Sequence, residues 1–338
     1  MSVRSWVLLA VVLACGIALA GPLSAADQYT GVTILTAMII ALAWNIVAGY
    51  SGQLSLGVAA FVGLGGYACG LLMAHAGFGW VTAGIAATGL SAVFAFLLGL
   101  PLLRLRGAYF AVGTLAAAVA LQAGAQLWTW AGGGSGFTLP IDGLPSSVSL
   151  LRASVVGFAL ALAAVLYVQQ SAFGLRVVAV RDDERAATGA GISCLGHRLA
   201  AFVISGALTG LAGALVALQT LTVSPAGSFS MSWTIDATLY VVAGGIATIV
   251  GPLIGVVLVY VVLTQELQSL GAVSAIIEGG LLVVILRFAP AGLWPAVVRG
   301  WRLARGGRLA RLVDARPGPG VSAKVGEMLA SRATKEPR

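Results

Sequence analysis

The stretch SAFGLRVVAVRDDERAATGAGISCLGHR, Ser171–Arg198, separates two long apolar runs at residues 153–169 and 199–221. Only 9% of the whole chain is charged, yet charged side chains are concentrated here. They are Arg176, Arg181, Asp182, Asp183, Glu184, Arg185 and Arg198. A charged stretch between two apolar runs of that length is typical of an aqueous loop between membrane-spanning helices. We therefore expect residues 171–198 to form such a loop.

The composition of the chain excludes an ordinary soluble protein. The 338 residues are 59% hydrophobic, with a mean hydropathy of +1.00. A typical soluble domain carries about 25% charged residues, so these few charges cannot cover a water-facing surface. The apolar runs are continuous and lack the alternation of barrel strands. The sequence thus predicts an all-α, polytopic membrane helix bundle.

About ten apolar runs approach the length of roughly 20 residues that a membrane-spanning helix needs. The first lies within residues 1–28 and also resembles a signal peptide, because Arg4 precedes an apolar core with a small-residue end. A retained span is favoured over a cleaved signal, because cleavage would leave an odd number of spans. The predicted spans are 6–26, 29–48, 54–76, 80–100, 109–130, 153–169, 199–221, 235–250, 252–267 and 275–289.

The distribution of arginine predicts the orientation of the bundle. With Met1 inside, the loop arginines lie inside except for Arg152. By the positive-inside rule, both termini are then cytoplasmic, as is the loop 171–198. The membrane core is predicted to end at residue 298, after which 299–338 form a basic cytoplasmic tail that is partly disordered. Its arginines are expected to meet anionic membrane lipid and not nucleic acid.

Several kinds of chemistry have no sequence support. The chain has two histidines and three widely spaced cysteines, so no metal site is expected. No phosphate-binding loop of the form GxxxxGK[ST] occurs, so any ATP would bind to another subunit. An intramembrane enzyme is not expected either. The carboxylates Asp236, Glu266 and Glu278 are predicted near the outer ends of spans, which argues against an ion-coupled carrier.

The segment GYSGQLSLG at residues 49–57 brings three polar side chains to a span boundary, with glycine on both sides. Irregular backbone is tolerated at membrane depth where it is covered by protein or lines a water-filled cavity. One interpretation is a polar break that lines a translocation path through Ser51, Gln53 and Ser55. The other is a tight turn between two spans.

Within the charged loop, the residues predict a short helix. Asp182 or Asp183 can cap its start, and Gly189 and Gly191 can end it. A helix of about two turns is unstable alone in water, so it requires a surface. That surface could belong to its own bundle or to a partner protein, and a simple solvated connection remains the alternative.

Several motifs together resemble the permease family of ABC importers for branched-chain amino acids, the LivM/LivH type, and favour its LivM branch. Residues 181–192, RDDERAATGAGI, resemble the loop that docks into the ATPase. The other matching stretches are NIVAGYSGQLSLG at 45–57, LAAFVISGALTGLAGA at 199–214, VAGG at 242–245, GPLIG at 251–255 and PAGLW at 290–294. The resemblance implies a coupling site at Arg181, Asp182, Asp183, Glu184, Arg185, Ala186, Ala187 and Gly191.

The resemblance also implies partners and a location. They are a second permease of the family, two ATP-binding subunits that carry the ATP, and a periplasmic substrate-binding protein, in a bacterial inner membrane. The family often has histidine where Val58 stands, and threonine where Ala131 stands. These departures leave the substrate open between branched-chain or similar hydrophobic amino acids and urea or short amides. An ion-coupled secondary transporter is the alternative from a different class.

Overall fold

A computed structural model of the chain describes residues 3–141 and 143–260, together with residues 280, 292 and 294. The chain divides into one unit that ends at Trp294 and a second that begins at Pro295. The second unit, and with it the predicted basic tail at 299–338, lies outside the described residues. In chain order the described elements are α1 (Val3–Leu19), α2 (Ala25–Asn45), α3 (Val58–Ala76), α4 (Trp80–Leu102), α5 (Ala108–Leu127), β1 (Phe137–Thr138), α6 (Ser147–Gln170), α7 (Ala172–Asp182), α8 (Glu184–Gly189), α9 (Cys194–Thr220), β2 (Thr222–Val223), α10 (Pro225–Ser228), α11 (Ser232–Gly244) and α12 (Val250–Val259).

Six helices within the described ranges are long and apolar enough to cross a membrane: α2, α3, α4, α5, α6 and α9. They correspond to the predicted second to seventh spans, which confirms a helical membrane bundle. The predicted first, eighth and ninth spans correspond to the shorter helices α1, α11 and α12. Most of the predicted tenth span, and the end of the ninth, lie outside the described residues.

The helices begin and end at residues suited to those positions. Ser24 caps α2 by accepting a hydrogen bond from the Asp27 backbone N–H at 3.2 Å. Ser146 caps α6 through the Ser149 backbone N–H, also at 3.2 Å. At the other end of α3, Gly77 takes a left-handed conformation with φ +64°, which glycine adopts without steric cost.

Small residues hold α3, α4 and α9 close together. A Cβ atom at Gly65 in α3 would collide with the carbonyl of Gly210 in α9, and one at Gly206 would press on Ala95 in α4. Helices in lipid gain little from apolar contacts alone, so such close backbone approach is what stabilises their packing. Close backbone approach therefore joins α3 and α4 to α9.

The strands β1 and β2 pair antiparallel, Phe137 with Val223 and Thr138 with Thr222, and mark one end of the bundle. We call this the ribbon end. The opposite end carries α7 and α8, and we call it the α8 end.

The predicted eighth span, 235–250, differs from the structure. Between β2 and α12 the chain crosses the bundle in pieces: Gln122 of α5 bonds the Pro225 carbonyl at 3.5 Å, whereas Thr234 bonds the Leu56 carbonyl near the start of α3 at 3.3 Å. Helix α11 has 13 residues, about 20 Å, and ends at Gly244. Asp236 therefore lies near the start of α3 and not at the ribbon end.

Candidate functional site

Helices α7 and α8 are separated by one extended residue, Asp183, which caps the start of α8. The Asp183 carboxylate accepts hydrogen bonds from the backbone N–H groups of Arg185 at 2.8 Å and Ala186 at 3.0 Å. Such a bond pairs backbone donors that have no partner within the helix. Asp182 instead accepts from Arg181 Nε at 2.9 Å. Of the two predicted candidates, Asp183 is thus the cap.

The end of α8 is also built as the sequence predicts. Gly191 has φ +79°, its N–H bonds the Thr188 carbonyl at 2.9 Å, and the Ile192 N–H bonds the Ala187 carbonyl at 3.0 Å. This pair of bonds is the Schellman arrangement, which needs a left-handed residue that glycine provides at least cost.

Helix α8 buries Ala187 against its own bundle and leaves its other side open. Ala187 is 4% exposed, whereas Arg185, Ala186 and Gly189 are exposed. The bundle thus supplies the surface that such a short helix requires.

Two ion pairs fix the start of α8. Glu184 lies 3.3 Å from Arg198 Nη1 in α9 and 3.8 Å from Arg106 Nη2 in the turn between α4 and α5. The Arg198 side chain is 17% exposed and that of Arg106 is 83% exposed. Since exposed ion pairs contribute little, Arg198 is the stronger anchor.

The coupling residues and the path residues, which the sequence suggests separately, meet in the structure. After α2 the chain makes one π-helical turn, Ile46–Tyr50, and then runs irregularly to Gly57. We call residues 46–57 the first break. Arg181 Nη1 in α7 donates to the Gly49 carbonyl of this break at 2.9 Å. A Cβ atom at Gly52 would collide with Arg181, so a glycine permits this approach.

Side chains from other helices satisfy the backbone of the first break. Trp44 Nε1 donates to the Ser55 carbonyl at 2.8 Å. The Leu56 N–H donates to Thr114 Oγ1 of α5 at 3.0 Å, and Thr234 Oγ1 of α11 donates to the Leu56 carbonyl at 3.3 Å. This pairing is what allows non-helical backbone inside a membrane protein.

The three predicted path residues differ in what they do. Ser55 is 5% exposed and its hydroxyl accepts from the Gly57 N–H at 3.3 Å, so it supports the break itself. Ser51 Oγ and Gln53 Oε1 are buried and have no hydrogen-bond partner among the described residues. Ser51 and Gln53 therefore each bury a polar atom that no described residue pairs.

Asn45 is a structural residue that the sequence interpretation did not single out. Its side chain is fully buried; its Nδ2 donates to the Thr248 carbonyl at 2.8 Å and its Oδ1 accepts from the Ala247 N–H at 2.9 Å. It thereby joins the first break to residues 245–249, which we call the second break. The available signal was an amide within an apolar run, since polar groups in membrane helices usually bond across helices.

A cavity of about 390 Å³ lies where the first break, the α4–α5 turn and α8 converge. Its polar lining is Gln53, Arg106, Glu184 and Arg198. The predicted path residue Gln53 and the predicted coupling residue Glu184 therefore line the same cavity at the α8 end.

The sequence predicts no metal site and places Glu266 and Glu278 near the ends of spans. No group of three or more histidine, cysteine, aspartate or glutamate residues could hold a metal ion within the ranges that the structure describes. Glu266 and Glu278 lie outside those ranges.

With this geometry established, comparison with known proteins identifies the relatives of the chain. Residues 29–286 match the family described as the permease component of branched-chain amino acid transport systems. The chain belongs to this permease family. The match covers well over half of the sequence, which confirms the resemblance inferred from the motifs, the predicted membrane permease fold and a transport component in place of an enzyme.

Two curated relatives of the permease are both high-affinity branched-chain amino acid transport system permease proteins named LivM. The one from Salmonella typhimurium is 32% identical over 288 residues, which is 76% of this chain and 67% of the relative. The one from Escherichia coli is 28% identical over the same shares. Both agree with the LivM branch that the motifs favoured. No solved structure matches the permease.

Proposed function

We propose that this chain is a permease subunit of an ABC importer and forms half of a translocation path for branched-chain or similar hydrophobic amino acids. The names of the relatives support this substrate class. In this proposal the chain pairs with a second permease of its family, and two ATP-binding subunits carry the ATP. A periplasmic binding protein delivers the substrate. The chain itself binds no cofactor.

The exposed face of α8 is the observation that carries the proposal. Arg185, Ala186 and Gly189 face outward from a helix that is capped at both ends, anchored through Glu184 and linked to the first break through Arg181. A partner that moves α8 through this face also bears on the first break, because α7 leads into α8 and Arg181 of α7 bonds Gly49. We propose that the ATPase is that partner, with Asp182, Asp183, Ala187 and Gly191 shaping the helix it grips.

The orientation is part of the proposal. Cytoplasmic placement of the α8 end puts Arg104, Arg106 and the arginines of α7 and α9 on the inner side of a bacterial inner membrane, as the positive-inside rule favours. Both termini are then cytoplasmic. The ribbon end, with exposed Trp128, Trp130 and Ile141, faces the periplasm, where the loop 132–152 would meet the binding protein.

We also propose which residues line the translocation path. We assign Ser51 and Gln53 to its lining, because their polar atoms are buried without partners among the described residues. Ser55 belongs to the path through its support of the break.

Ala186→Glu tests the role of α8. Ala186 is exposed, so the substitution spares the fold while it places a charge on the face that the ATPase is proposed to grip. We expect the ATPase to be lost from the purified complex and ATP-driven leucine uptake into proteoliposomes to fall at least tenfold. Ala172→Glu is the matched control, since Ala172 is exposed at the start of α7, where an acidic residue suits the helix dipole.

The outcomes separate the alternatives. Unchanged uptake in Ala186→Glu would remove α8 as the coupling element. Uptake that follows an ion gradient without ATP would favour a secondary transporter. ATP-driven uptake of urea with no uptake of leucine would move the chain to the permeases for urea or short amides.

A further inference from the structure

The cavity at the α8 end has the chemistry of a small-molecule site. Its volume of about 390 Å³ falls in the range of roughly 300–1,000 Å³ that ligand pockets occupy. One part of its lining is polar and charged, and another part is formed by Leu54, Leu105 and Phe110. A cavity with one polar and one apolar side suits an amphiphilic solute.

Two buried polar atoms in the lining residues lack partners. Arg198 uses its Nη1 on Glu184, but its Nε is buried and has no hydrogen-bond partner among the described residues. The same holds for Gln53 Oε1. A buried polar atom without a partner is costly, and a ligand that supplies an acceptor for one atom and a donor for the other removes both costs.

The charges of the lining indicate which ligand. Arg106 and Arg198 outnumber the single carboxylate, Glu184, so an anionic group is favoured, and guanidinium binds carboxylates well. Gln53 Oε1 and the Glu184 carboxylate accept hydrogen bonds and suit an ammonium group. The apolar wall suits a branched aliphatic side chain.

We infer that this cavity is a binding site for a free α-amino acid with an apolar side chain, with its carboxylate on Arg198 and Arg106 and its ammonium group on Gln53 and Glu184. The inference rests on the proposed function, because it takes the transported class as its ligand. Since Glu184 is also the first residue of α8, binding here competes for the ion pairs that anchor α8. By linkage, occupancy of the site and the position of α8 influence each other. The cavity thus provides a point at which amino acid on the α8 side is sensed by the transporter.

The test is binding of radiolabelled leucine to the purified complex of permeases and ATPases, without the binding protein, by equilibrium dialysis. We expect saturable binding that valine and isoleucine displace. Leucinamide lacks the carboxylate and N-acetylleucine lacks the ammonium group, so each should compete at least tenfold more weakly than leucine. Glycine, which lacks the side chain, should also compete weakly.

Two conservative variants locate the binding. Arg198→Lys keeps the positive charge but removes the planar fork, and Gln53→Met keeps the size but removes the acceptor, so each should weaken leucine binding at least tenfold. Gln126→Met is the matched control, because Gln126 is exposed on α5 and does not line the cavity. It should bind leucine as the unmodified complex does.

Each contrary result overturns the inference in its own way. Absence of saturable binding up to millimolar leucine would remove the site, as would binding that both variants leave unchanged. Equal competition by N-acetylleucine and inorganic phosphate would reveal an anion site without amino acid recognition. These results would leave the proposed function intact if ATP-driven leucine uptake with the binding protein is normal. Loss of that uptake in the unmodified complex would contradict the proposed function itself.

Discussion

The first and second breaks both lie at the α8 end and meet at Asn45, but they are held differently. Among the described residues, the hydrogen bonds that the second break makes outside its own turn are the two that join Asn45 to Ala247 and Thr248. The first break is bonded by side chains from several helices: Trp44 of α2, Thr114 of α5, Arg181 of α7 and Thr234 of α11.

This difference indicates different roles. A segment whose hydrogen bonds go to one residue follows that residue, whereas a segment bonded by several helices changes shape when any of them moves. The helix α7 that reaches the first break also leads directly into α8. We therefore infer that Asn45 clamps the second break in place, and that the first break transmits movement of α8 into the bundle.

The largest effect on stability is expected when the two hydrogen bonds of Asn45 to the second break are removed. Asn45→Leu leaves the Ala247 N–H and the Thr248 carbonyl without their partner in a buried position, at about 1–3 kcal/mol each. We expect the free energy of unfolding in detergent to fall by about 2–6 kcal/mol, measured by denaturant titration. Gln126→Leu, at an exposed position, is the control. A loss for Asn45→Leu no larger than that of this control would show that Asn45 does not clamp the two breaks.

The next largest effect is expected when the hydrogen bond from Arg181 of α7 to the first break is removed. Arg181→Met keeps the stem that packs on Gly52 but removes the hydrogen bond to the Gly49 carbonyl, worth about 1–3 kcal/mol. We expect ATP hydrolysis by the complex to persist while leucine uptake per ATP falls severalfold, because α8 would still be gripped but no longer pull on the first break.

Arg176→Met is the control for Arg181, since Arg176 is exposed in the same helix. It should preserve both hydrolysis and uptake. If Arg181→Met instead lowers hydrolysis and uptake in equal proportion, the residue acts on ATPase docking and not on the first break.

The sequence predicts well what depends on neighbours along the chain. Runs of apolar residues predicted the helices α2 to α6 and α9. Local cap chemistry predicted that Asp182 or Asp183 begins α8 and that Gly189 and Gly191 end it, and the structure selects Asp183 as the cap. Each of these features is determined by side chains within a few residues of each other. A short-range pattern is therefore enough to infer them.

The features that the sequence did not predict depend on distant contacts. Asn45 bonds Ala247 and Thr248 across about 200 positions of the chain, and Arg181 reaches Gly49 across 132. The eighth span was predicted as continuous because residues 235–250 are mostly apolar, but the bonds of Asn45 stabilise a break within them at which Ala247 is left-handed. Apolar composition carries no signal for such contacts.

A smaller effect tests whether α5 supports the first break. Thr114→Val keeps the shape of the side chain but leaves the Leu56 N–H without its acceptor. We expect a loss of about 1–2 kcal/mol in the free energy of unfolding. Thr88→Val is the control, because the Thr88 hydroxyl bonds the Gly84 carbonyl within its own helix, and it should cost less than about 0.5 kcal/mol. Equal losses at both positions would mean that Thr114 contributes nothing specific to the break.

The smallest effect concerns strain in the second break. Ala247 has φ +59°, a left-handed conformation that costs a residue with a side chain about 1–2 kcal/mol. Ala247→Gly removes that cost but gives the unfolded chain more freedom, at about 0.5–1 kcal/mol. We therefore expect a gain of up to about 1 kcal/mol in the free energy of unfolding, measured by the same titration.

Ala190→Gly is the control for Ala247, because Ala190 ends α8 with φ −83° and has no such strain to release. The same substitution there should lower the free energy of unfolding by a few tenths to about 1 kcal/mol. Opposite signs at the two positions would show that the second break is held in a strained shape by Asn45. A loss at both would mean that the backbone of Ala247 is relaxed, and the second break would then need no clamp to keep its conformation.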